Sequence, residues 1–409
     1  MVYLLPLILS CAISVAAGDA LLPSHDRNPG GVFQRASCTP TTANSPSSDD
    51  VPSIVDAFKK CGNGGTITIP KGTTYIIGSV LNFEGCSNCD FQLEGTLKVS
   101  ENFTYWNGKQ SIINIKNING AKIRSLSGAG VIDGNGQGSW DKFATDKTYD
   151  RPTLLYITGS SNIEVSGIAV KDPPSFGLSA AGGSTNVAFS DISLSAFSKS
   201  SNLPKNTDGF DIGPASQVRL QNITVNNDDD CVALKAGANF VEIRNITCSG
   251  SHGLSIGSLG KSAGSTDFVK NVYIGNAIMK KSTKAAGIKV YPGGSTHGVA
   301  TVSNVTWDGV VVDQSDYAFQ VQTCYGETAE FCTSNPPTAQ ITDITVKNFS
   351  GTTSPKYKGV TANINCPVKG SCNIKFVDWK VKPSSGTATV ACANSSGVTG
   401  VTCSPGASG

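Results

Sequence analysis

Four short polar segments in the middle of the chain carry side chains suited to acid–base chemistry. Clustered carboxylates repel one another and raise the pKa of at least one member, so proteins keep such clusters mainly for catalysis or for metal binding. Hydrolysis of a glycosidic bond uses such a pair: a protonated carboxyl group serves the leaving oxygen, and a carboxylate serves the attacking water. The segments are NTD at 206–208, DDDC at 228–231, SHG at 251–253 and GIK at 287–289.

The spacing of these segments matches about one coil of a solenoid. Asp208 lies 22 residues before Asp230, and His252 lies 22 residues after it. Residues one coil apart in a stack of strands lie about 4.8 Å apart, so we expect Asp208, Asp229, Asp230 and His252 to share one face on three successive coils. A calcium site is the alternative use of clustered carboxylates, but His252 and Lys289 on that face disfavour a cation. A single aspartate would indicate only a turn of the β-helix, whereas four polar segments at coil spacing indicate a chemical site.

A repeated strand pattern surrounds the polar segments. Each repeat has apolar residues at alternate positions, a polar corner and further alternation, which is typical of short strands with one buried face. The repeat length of roughly two dozen residues predicts an all-β fold, a single-domain right-handed parallel β-helix. A propeller expects longer blades, and a sandwich expects hairpin turns that are rare here. The repeats begin NIEVSGIAV at 162, NVAFSDISL at 186, QVRLQNITV at 217, FVEIRNITC at 240, NVYIGNAIM at 271, TVSNVTWDGV at 301 and QITDITVKNF at 340.

A short helix is predicted to cap the N-terminal end of the solenoid. The segment SSDDVPSIVDAFKKCG at 47–62 begins with capping residues and ends at a glycine. Its apolar residues Val51, Ile54, Val55 and Phe58 recur at helical spacing. Such a helix would protect the open edge of the first coil.

The start of the chain predicts a signal peptide over residues 1–18, followed by a β-helix domain over 19–409. The apolar run from Val2 to Val15 is too short to span a bilayer. It ends in the small residues Ala16 and Ala17, as a cleavage site requires. We therefore expect a secreted, extracellular protein with no membrane partner.

Composition excludes several function classes. The net charge is +2 and only 15% of residues are charged, with no basic run, so nucleic acid is not an expected partner. The histidines are His25, His252 and His297, and none lies near a closely spaced cysteine pair. We therefore predict no zinc site and no cofactor.

The cysteine count indicates an oxidising compartment. Of 13 cysteines, Cys11 falls in the predicted signal peptide and leaves an even number for the domain. Several pairs lie close together in the chain, although sequence alone does not fix the connectivity. These pairs are Cys86/Cys89, Cys231/Cys248, Cys324/Cys332, Cys366/Cys372 and Cys392/Cys403.

N-x-S/T sequons are consistent with a glycosylated secreted protein, since this motif is the acceptor for N-linked glycans. Each sequon alone is weak evidence in a chain rich in Asn and Thr. The predicted glycosylation sites are Asn102, Asn222, Asn245, Asn304, Asn348 and Asn394.

The four polar segments, read as NTDGFDI, DDDC, GSHGLSIGSLG and GIKVYPG, resemble the motifs of glycoside hydrolase family 28, the polygalacturonases. Order and spacing both match, and the likeness covers roughly residues 50–380. The resemblance implies a right-handed parallel β-helix that acts as a monomer and hydrolyses α-1,4-galacturonosyl linkages of pectin.

The resemblance also implies roles for the acidic residues. Asp229 would be the general acid that protonates the glycosidic oxygen. Asp208 and Asp230 would activate the attacking water and so invert the anomeric carbon. His252 would form a hydrogen bond near the acid and tune its protonation.

Further roles follow from the same resemblance. Asn206 would contact the sugar, and Lys289 would pair with a substrate carboxylate, since galacturonate is anionic. Tyr325 matches the tyrosine that lines the cleft in this family. Cys231 would pair with Cys248 and fix the turn that carries the acids.

One departure from the family pattern bears on the substrate. The usual Arg-Ile-Lys reads Gly287-Ile288-Lys289 here, which removes a charge-assisted contact to a sugar carboxylate and is expected to leave room beside the sugar. The segment is similar to xylogalacturonan hydrolases of filamentous fungi, which act on galacturonan with xylose branches. Ser251 in GSHG is shared with exopolygalacturonases, which are the near alternative.

Two other classes remain as alternatives. A pectate-lyase-like β-helix would need calcium and an arginine base, but no arginine lies in the four segments, and Arg244 lies on a repeat strand. A non-catalytic polysaccharide-binding β-helix would gain nothing from three added carboxylates against an anionic polymer.

Overall fold

The computed structural model describes residues 35–408. The predicted signal peptide, with Cys11, and His25 lie outside the described residues. Residues 35–408 form one compact unit made of coils that contribute parallel strands to two long sheets. This is a parallel β-helix, which confirms the fold class predicted from the repeat.

The strands are short at both ends of the chain and long in the middle. The first strands are β1 (Ser37–Cys38), β2 (Thr66–Ile69), β3 (Thr74–Ile77), β4 (Leu81–Asn82), β5 (Cys89–Leu93), β6 (Thr96–Val99), β7 (Ser111–Lys116), β8 (Asn119–Arg124), β9 (Val131–Asp133), β10 (Thr153–Thr158), β11 (Ser161–Ser166), β12 (Ala169–Lys171), β13 (Leu178–Ala181) and β14 (Ser184–Ser195). The remaining strands are β15 (Phe210–Ile212), β16 (Ala215–Asn226), β17 (Val232–Leu234), β18 (Ala238–Ser249), β19 (Leu254–Leu259), β20 (Thr266–Lys280), β21 (Ala286–Val290), β22 (Val299–Ser315), β23 (Phe319–Gln322), β24 (Gln340–Thr353), β25 (Val360–Asn365), β26 (Ser371–Lys382), β27 (Thr389–Ala393), β28 (Val398–Thr399) and β29 (Cys403–Pro405).

Helices are few and short. They are α1 (Val51–Cys61), α2 (Phe103–Trp106), α3 (Gln137–Thr145), α4 (Ala329–Ser334) and a 3₁₀ turn at Pro355–Tyr357. Across the described part of the chain, none of them has the length and hydropathy needed to cross a membrane.

Two sheets run along the axis of the solenoid. The seventeen-stranded sheet contains the long strands β14, β16, β18, β20, β22, β24 and β26, and the twelve-stranded sheet contains the short strands β13, β15, β17, β19, β21 and β23. Neighbours in both sheets pair in parallel and in register, for example β14 with β16 and β15 with β17. Each residue therefore lies beside its equivalent in the next coil.

The core consists of columns of apolar side chains that this register creates. Val187, Val218, Val241, Val272 and Val305 are partners on successive coils, and all are buried. Burial of a valine side chain contributes about 1.5–3 kcal/mol. Because every coil repeats the column, alternation in the sequence is sufficient to specify the inward face.

The corners of the long strands adopt the left-handed conformation that asparagine tolerates. Asn162 and Asn186 have φ of 58° and 53°, and the Asn186 amide donates to Oδ1 of Asn162 at 2.7 Å. Asn304 donates to Asn271 in the same way at 2.8 Å. Stacked amides thus satisfy one another where the chain bends.

Helix α1 covers the first coil, as the sequence predicted. Ile54 and Phe58 are fully buried, and the Phe58 ring packs 4.6 Å from Phe83 and 5.6 Å from Phe91. The helix ends at Gly62, whose N–H donates to the Phe58 carbonyl at 2.7 Å. Its apolar face therefore closes the open end of the core.

All twelve cysteines of the described residues form disulfides. The five pairs that lie close in the chain are bonded, and the sixth bond ties the N-terminal strand to the end of α1. The disulfides are Cys38–Cys61, Cys86–Cys89, Cys231–Cys248, Cys324–Cys332, Cys366–Cys372 and Cys392–Cys403.

The predicted glycosylation asparagines lie on the surface. Some of their amides take part in the corner ladders: Asn245 donates to Asn222 at 3.1 Å. Each of the six is exposed to solvent: Asn102, Asn222, Asn245, Asn304, Asn348 and Asn394. Their modification remains a prediction.

Candidate active site

Three of the polar segments stack because they directly precede paired strands. Phe210, Val232 and Leu254, the first residues of β15, β17 and β19, are partners in register. Asp208, Asp230 and His252 each lie two residues before those positions. The coil spacing predicted from the sequence therefore matches the structure.

Backbone hydrogen bonds hold the three segments in line. The Gly209 N–H donates to the Asp230 carbonyl at 2.9 Å, and the His252 N–H donates to the Asp229 carbonyl at 2.7 Å. The buried amide of Asn227 donates to the carbonyls of both Thr207 and Asp230, at 2.7 and 2.9 Å. These hydrogen bonds fix the backbone from which the aspartate side chains extend.

The carboxylates of Asp208, Asp229 and Asp230 converge. One oxygen from each lies within 4.8 Å of the others. Their exposure differs: 19% of the Asp229 side chain is accessible, against 4% for Asp208 and 1% for Asp230. Asp229 is therefore the member that solvent and a ligand can reach.

Asp230 is held in its ionised form. The Ser255 hydroxyl donates to Oδ1 at 2.7 Å, and the Lys289 ammonium donates to Oδ2. Burial acts to raise the pKa of Asp230, but the charges of Lys289, Lys284 and Lys235 outweigh burial and lower this pKa to about 2.

Asp208 is driven toward its protonated form. Burial and the nearby Asp211 carboxylate raise the pKa of Asp208 well above its ordinary value, although Lys235 opposes them. The Lys235 ammonium lies 3.3 Å from Asp208 and 3.5 Å from Asp211. One cation is thus shared between two buried carboxylates.

Asp229, the general acid that the family resemblance implies, has a lowered pKa in the free protein. Burial acts to raise its pKa, but hydrogen bonding to His252 lowers it below the ordinary value. His252 Nδ1 lies 3.2 Å from Oδ1, the amide of Asn206 donates to Oδ2 at 3.3 Å, and the Asp230 N–H donates to Oδ1 at 2.8 Å. In the free protein, burial therefore favours the proton on Asp208.

Lys289 and Tyr325 lie together beside Asp230. The Lys289 ammonium is buried and is 5.4 Å from the centre of the Tyr325 ring. Its bond to Asp230 means that its charge compensates a buried carboxylate within the site. The sequence predicted its position beside the acids but not this partner.

Lys284 is a site residue that sequence reasoning missed. It is buried, with 4% of its surface exposed, and its ammonium donates to the His252 carbonyl at 2.7 Å. Burial lowers the pKa of Lys284 to about 8, with Asp230 opposing and Lys289 reinforcing this effect. Lys284 lies five residues before Lys289 and outside the four polar segments, so no motif in the sequence indicated that it belongs to the site.

The Lys284 side chain fills the space that Gly287 was expected to leave open. A Cβ built on Gly287 would lie 2.8 Å from Cδ of Lys284 and 2.4 Å from the Gln320 carbonyl oxygen. Gly287 is buried. The glycine therefore makes room for the lysine stem and for the neighbouring coil.

Arg151 is a second residue outside the motifs that supports the acids. Its guanidinium donates to Oδ1 of Asn206 at 2.8 Å and to the carbonyls of Lys205 and Pro174 at 2.7 and 3.1 Å. It also stacks 3.7 Å over the Phe143 ring. Because Arg151 binds the oxygen of the Asn206 amide, the NH₂ group of that amide faces the acid cluster.

Ser251 lies in the interior rather than in the cleft. It is fully buried, and its hydroxyl lies 2.9 Å from that of Ser282 on the next coil. The serine of GSHG is therefore part of an internal polar ladder. It gives no support to the exopolygalacturonase alternative.

The Cys231–Cys248 disulfide anchors the turn that carries the acids. Its Cα atoms are 6.0 Å apart, and both residues are fully buried. The bond joins the residue after Asp230 to β18, which confirms the pairing that the resemblance implied.

The donor set does not suit a metal ion, although the three carboxylates are close enough to bind one. Calcium takes six to eight oxygen ligands. Both oxygens of Asp230 are already bound by Ser255 and Lys289, and the ammonium groups of Lys235 and Lys284 add repulsion. The cluster is a group of three converging carboxylates whose negative charge is compensated by lysines.

Comparison with known proteins agrees with this geometry. Residues 61–404 match the family described as glycosyl hydrolases family 28. The chain is 53% identical over 403 residues to a probable endo-xylogalacturonan hydrolase A of Aspergillus niger and to the endo-xylogalacturonan hydrolase A of Aspergillus tubingensis, with 98% of each protein covered.

Solved structures give the same result. The crystal structure of endo-xylogalacturonan hydrolase from Aspergillus tubingensis superposes with a TM-score of 0.90 at 55% identity, covering 91% of this chain and all of that one. A polygalacturonase from Erwinia carotovora shares the fold, with a TM-score of 0.69 at 21% identity over 90% of this chain and all of that one. From the family match and these close relatives, the chain belongs to glycosyl hydrolases family 28 and is a glycoside hydrolase.

Proposed function

We propose that the protein cleaves α-1,4-galacturonosyl linkages inside the backbone of xylose-substituted galacturonan, with inversion at the anomeric carbon. The observation that carries this proposal is the stack of three carboxylates on successive coils, of which Asp229 alone reaches solvent. The xylose-bearing substrate and internal cleavage are supported by the names of relatives that are more than half identical.

In this proposal Asp229 protonates the glycosidic oxygen, because it is the accessible acid. Asp230, which stays ionised, accepts the proton of the water deeper in the site, and Asp208 helps to hold that water. Their oxygens approach more closely than the carboxyl separation of about 6.5–9.5 Å typical of inverting enzymes. We therefore base inversion on water held by two carboxylates at once, and the anomeric form of the first product tests it.

The proton reaches Asp229 when substrate covers the site. In the free protein, burial favours protonation of Asp208, while His252 lowers the pKa of Asp229. A bound galacturonan removes water from Asp229 and brings further negative charge, and both effects raise its pKa. Asp229 is therefore protonated when substrate is bound, and it can then donate that proton to the glycosidic oxygen.

The other predicted site residues bind and orient. Asn206 contacts the sugar through the amide that Arg151 fixes. Lys289 keeps Asp230 ionised and shares its ammonium with a substrate carboxylate, while Tyr325 lines the cleft beside it.

We assign the preference for branched galacturonan to the missing charge at Gly287. No guanidinium is available there to hold an unbranched sugar by its carboxylate. Lys284 supplies a cation nearby, but its ammonium faces the His252 carbonyl and not open solvent. Substrate contacts must then come from other groups, including the xylose branches.

The first experiment compares time courses of products from polygalacturonate and from xylogalacturonan. We expect a ladder of xylose-bearing oligomers from the branched polymer and much slower release from the unbranched one. Monomer from the start on unbranched polymer would favour an exopolygalacturonase. Ultraviolet absorbance from an unsaturated uronate would identify a lyase and refute hydrolysis.

The second experiment replaces the proposed acid. Asp229→Asn should lower kcat by about 10²–10⁴-fold, the contribution of general acid catalysis, and leave polymer binding intact. Asp228→Asn is the matched control, because it changes the neighbouring aspartate outside the converging trio. Turnover by Asp229→Asn within tenfold of the unchanged enzyme would refute its role.

We also propose that the protein is secreted after removal of residues 1–18, leaving a single mature β-helix domain that acts as a monomer. The six disulfides support an oxidising compartment. N-terminal sequencing of protein secreted by a fungal host should begin near Asp19. Retention of Met1 would contradict the signal peptide.

A further inference from the structure

A second concave surface lies on the outer face of the seventeen-stranded sheet. This surface, the corner groove, is lined by residues that include Gln217, Arg219, Phe240, Arg244 and Tyr273, and it encloses about 830 Å³. It crosses the long strands β14, β16, β18, β20 and β22, whereas the converging carboxylates precede strands of the other sheet. The corner groove is therefore separate from the proposed catalytic cleft.

Phe240 is anomalous in the corner groove. It has φ of 53° at the position where neighbouring coils carry asparagine or glutamine, and bulky side chains rarely adopt this conformation. The residue as a whole is 58% exposed. The amide ladder bypasses it, because Asn271 donates instead to Asn239 at 2.9 Å. Backbone strain and an exposed ring together indicate a role other than packing.

Charged and aromatic groups stand beside Phe240. The Arg244 guanidinium stacks 4.5 Å over the Tyr273 ring. Glu242 pairs with Arg244 and, at 3.3 Å, with Arg219. Two guanidinium groups thus face one carboxylate, and an anionic ligand could compete for them.

We propose that the corner groove binds a second segment of acidic polysaccharide without cleaving it. The Phe240 ring offers an apolar face for the C–H side of a pyranose, Arg219 and Arg244 offer partners for sugar carboxylates, and the corner amides offer hydrogen bonds to hydroxyls. The identity of the polymer as galacturonan rests on the proposed function.

The geometry of the sheet suits a polymer rather than a single sugar. The groove runs across strands, along the solenoid axis, so equivalent positions recur at the strand spacing of about 4.8 Å. That spacing is close to the length of one pyranose unit in a linear chain. Among the described lining residues, Glu242 is the one carboxylate, so the groove lacks the acid pair that hydrolysis requires.

Phe240→Asn tests the proposal without endangering the fold, because asparagine is the residue that this corner conformation favours. Binding of long xylogalacturonan is measured by affinity electrophoresis in the Asp229→Asn background. We expect about three- to tenfold weaker binding, since two linked sites bind one polymer more tightly than either site alone. Arg244→Gln should have a similar effect, and kcat/KM on short oligosaccharides should stay unchanged when Asp229 is intact.

Phe268→Asn is the control, because Phe268 is an exposed phenylalanine on β20 outside the groove. Polymer binding that is unchanged by both Phe240→Asn and Arg244→Gln overturns the proposal. An equal loss of binding to a neutral polymer overturns the acidic ligand class. An effect seen only with protein that carries N-linked glycans would mean that the groove holds the protein's own glycan, which also overturns it. Absence of hydrolysis in the unchanged enzyme would instead refute the proposed function and leave this binding test readable.

Discussion

Replacement of Lys284 by methionine should make the protein more stable and less active. Methionine keeps the length of the stem that lies over Gly287 but removes the buried ammonium. That ammonium donates a hydrogen bond to the His252 carbonyl and lies close enough to Asp230 to help lower the pKa of that carboxyl group. The buried charge of Lys284 thus lowers the free energy of unfolding, and it also helps to keep Asp230 ionised.

The size of the stability effect follows from the pKa of Lys284. A lysine pKa that falls from 10.5 to about 8 on folding means that the folded state disfavours the charged form. At 1.36 kcal/mol for each pH unit between the two values, the penalty is about 3 kcal/mol. It is fully present below pH 8 and vanishes as pH rises through 10.5.

Urea unfolding at several pH values measures this effect. Lys284→Met should raise the free energy of unfolding by about 3 kcal/mol at pH 6, with little gain at pH 10.5. Lys59→Met, which removes an exposed lysine from α1, should show no such pH dependence. A variant less stable than the unchanged protein at pH 6 would refute the reasoning.

Activity gives the second readout for Lys284→Met. Loss of a nearby positive charge raises the pKa of Asp230. The acid limb of kcat/KM should then move to higher pH, with lower kcat at the acidic end. A pH profile that superposes on that of the unchanged enzyme would mean that Lys284 acts on folding alone.

Three further variants test the surroundings of the acids. Gly287→Arg should destabilise the protein by about 1–3 kcal/mol through overpacking, and combination with Lys284→Ala should recover part of that loss in thermal unfolding. Lys289→Met should raise the pKa of Asp230 and lower kcat on every substrate; an effect on KM alone would contradict this. Arg151→Gln should lower kcat at least tenfold with a small change in thermal midpoint, since it releases the amide beside the acid; unchanged kcat would exclude a positioning role.

The backbone of the site could be predicted from the sequence because the β-helix has a simple register. Asp208, Asp230 and His252 are 22 residues apart, as are the first residues of the paired strands that follow them, so pairing of those strands also stacks the site residues. The alternation in each repeat likewise predicted the buried apolar face and the polar corner. Helix α1 could be predicted because its apolar spacing is strong and its ends are marked.

The cations around the acids could not be predicted in the same way. Lys235, Lys284 and Arg151 reach the site through long side chains, and their direction depends on local packing rather than on the repeat. Gly287 illustrates the consequence. In the sequence it indicates a missing side chain, whereas in the structure the space is occupied by the stem of a lysine three residues earlier.

The lysines around the acids do more than pack, because their charges affect which carboxyl group is protonated. Asp208, Asp230 and Asp211 are buried and form ion pairs with Lys235 and Lys289, so removal of either of these two lysines leaves a buried charge uncompensated. The site therefore functions as one titrating unit, in which each cation decides which carboxylate keeps the proton. Lys289 and Lys284 keep it off Asp230, while burial beside Asp211 favours it on Asp208. That division leaves Asp229, at the surface, as the carboxylate whose protonation a bound polymer can change.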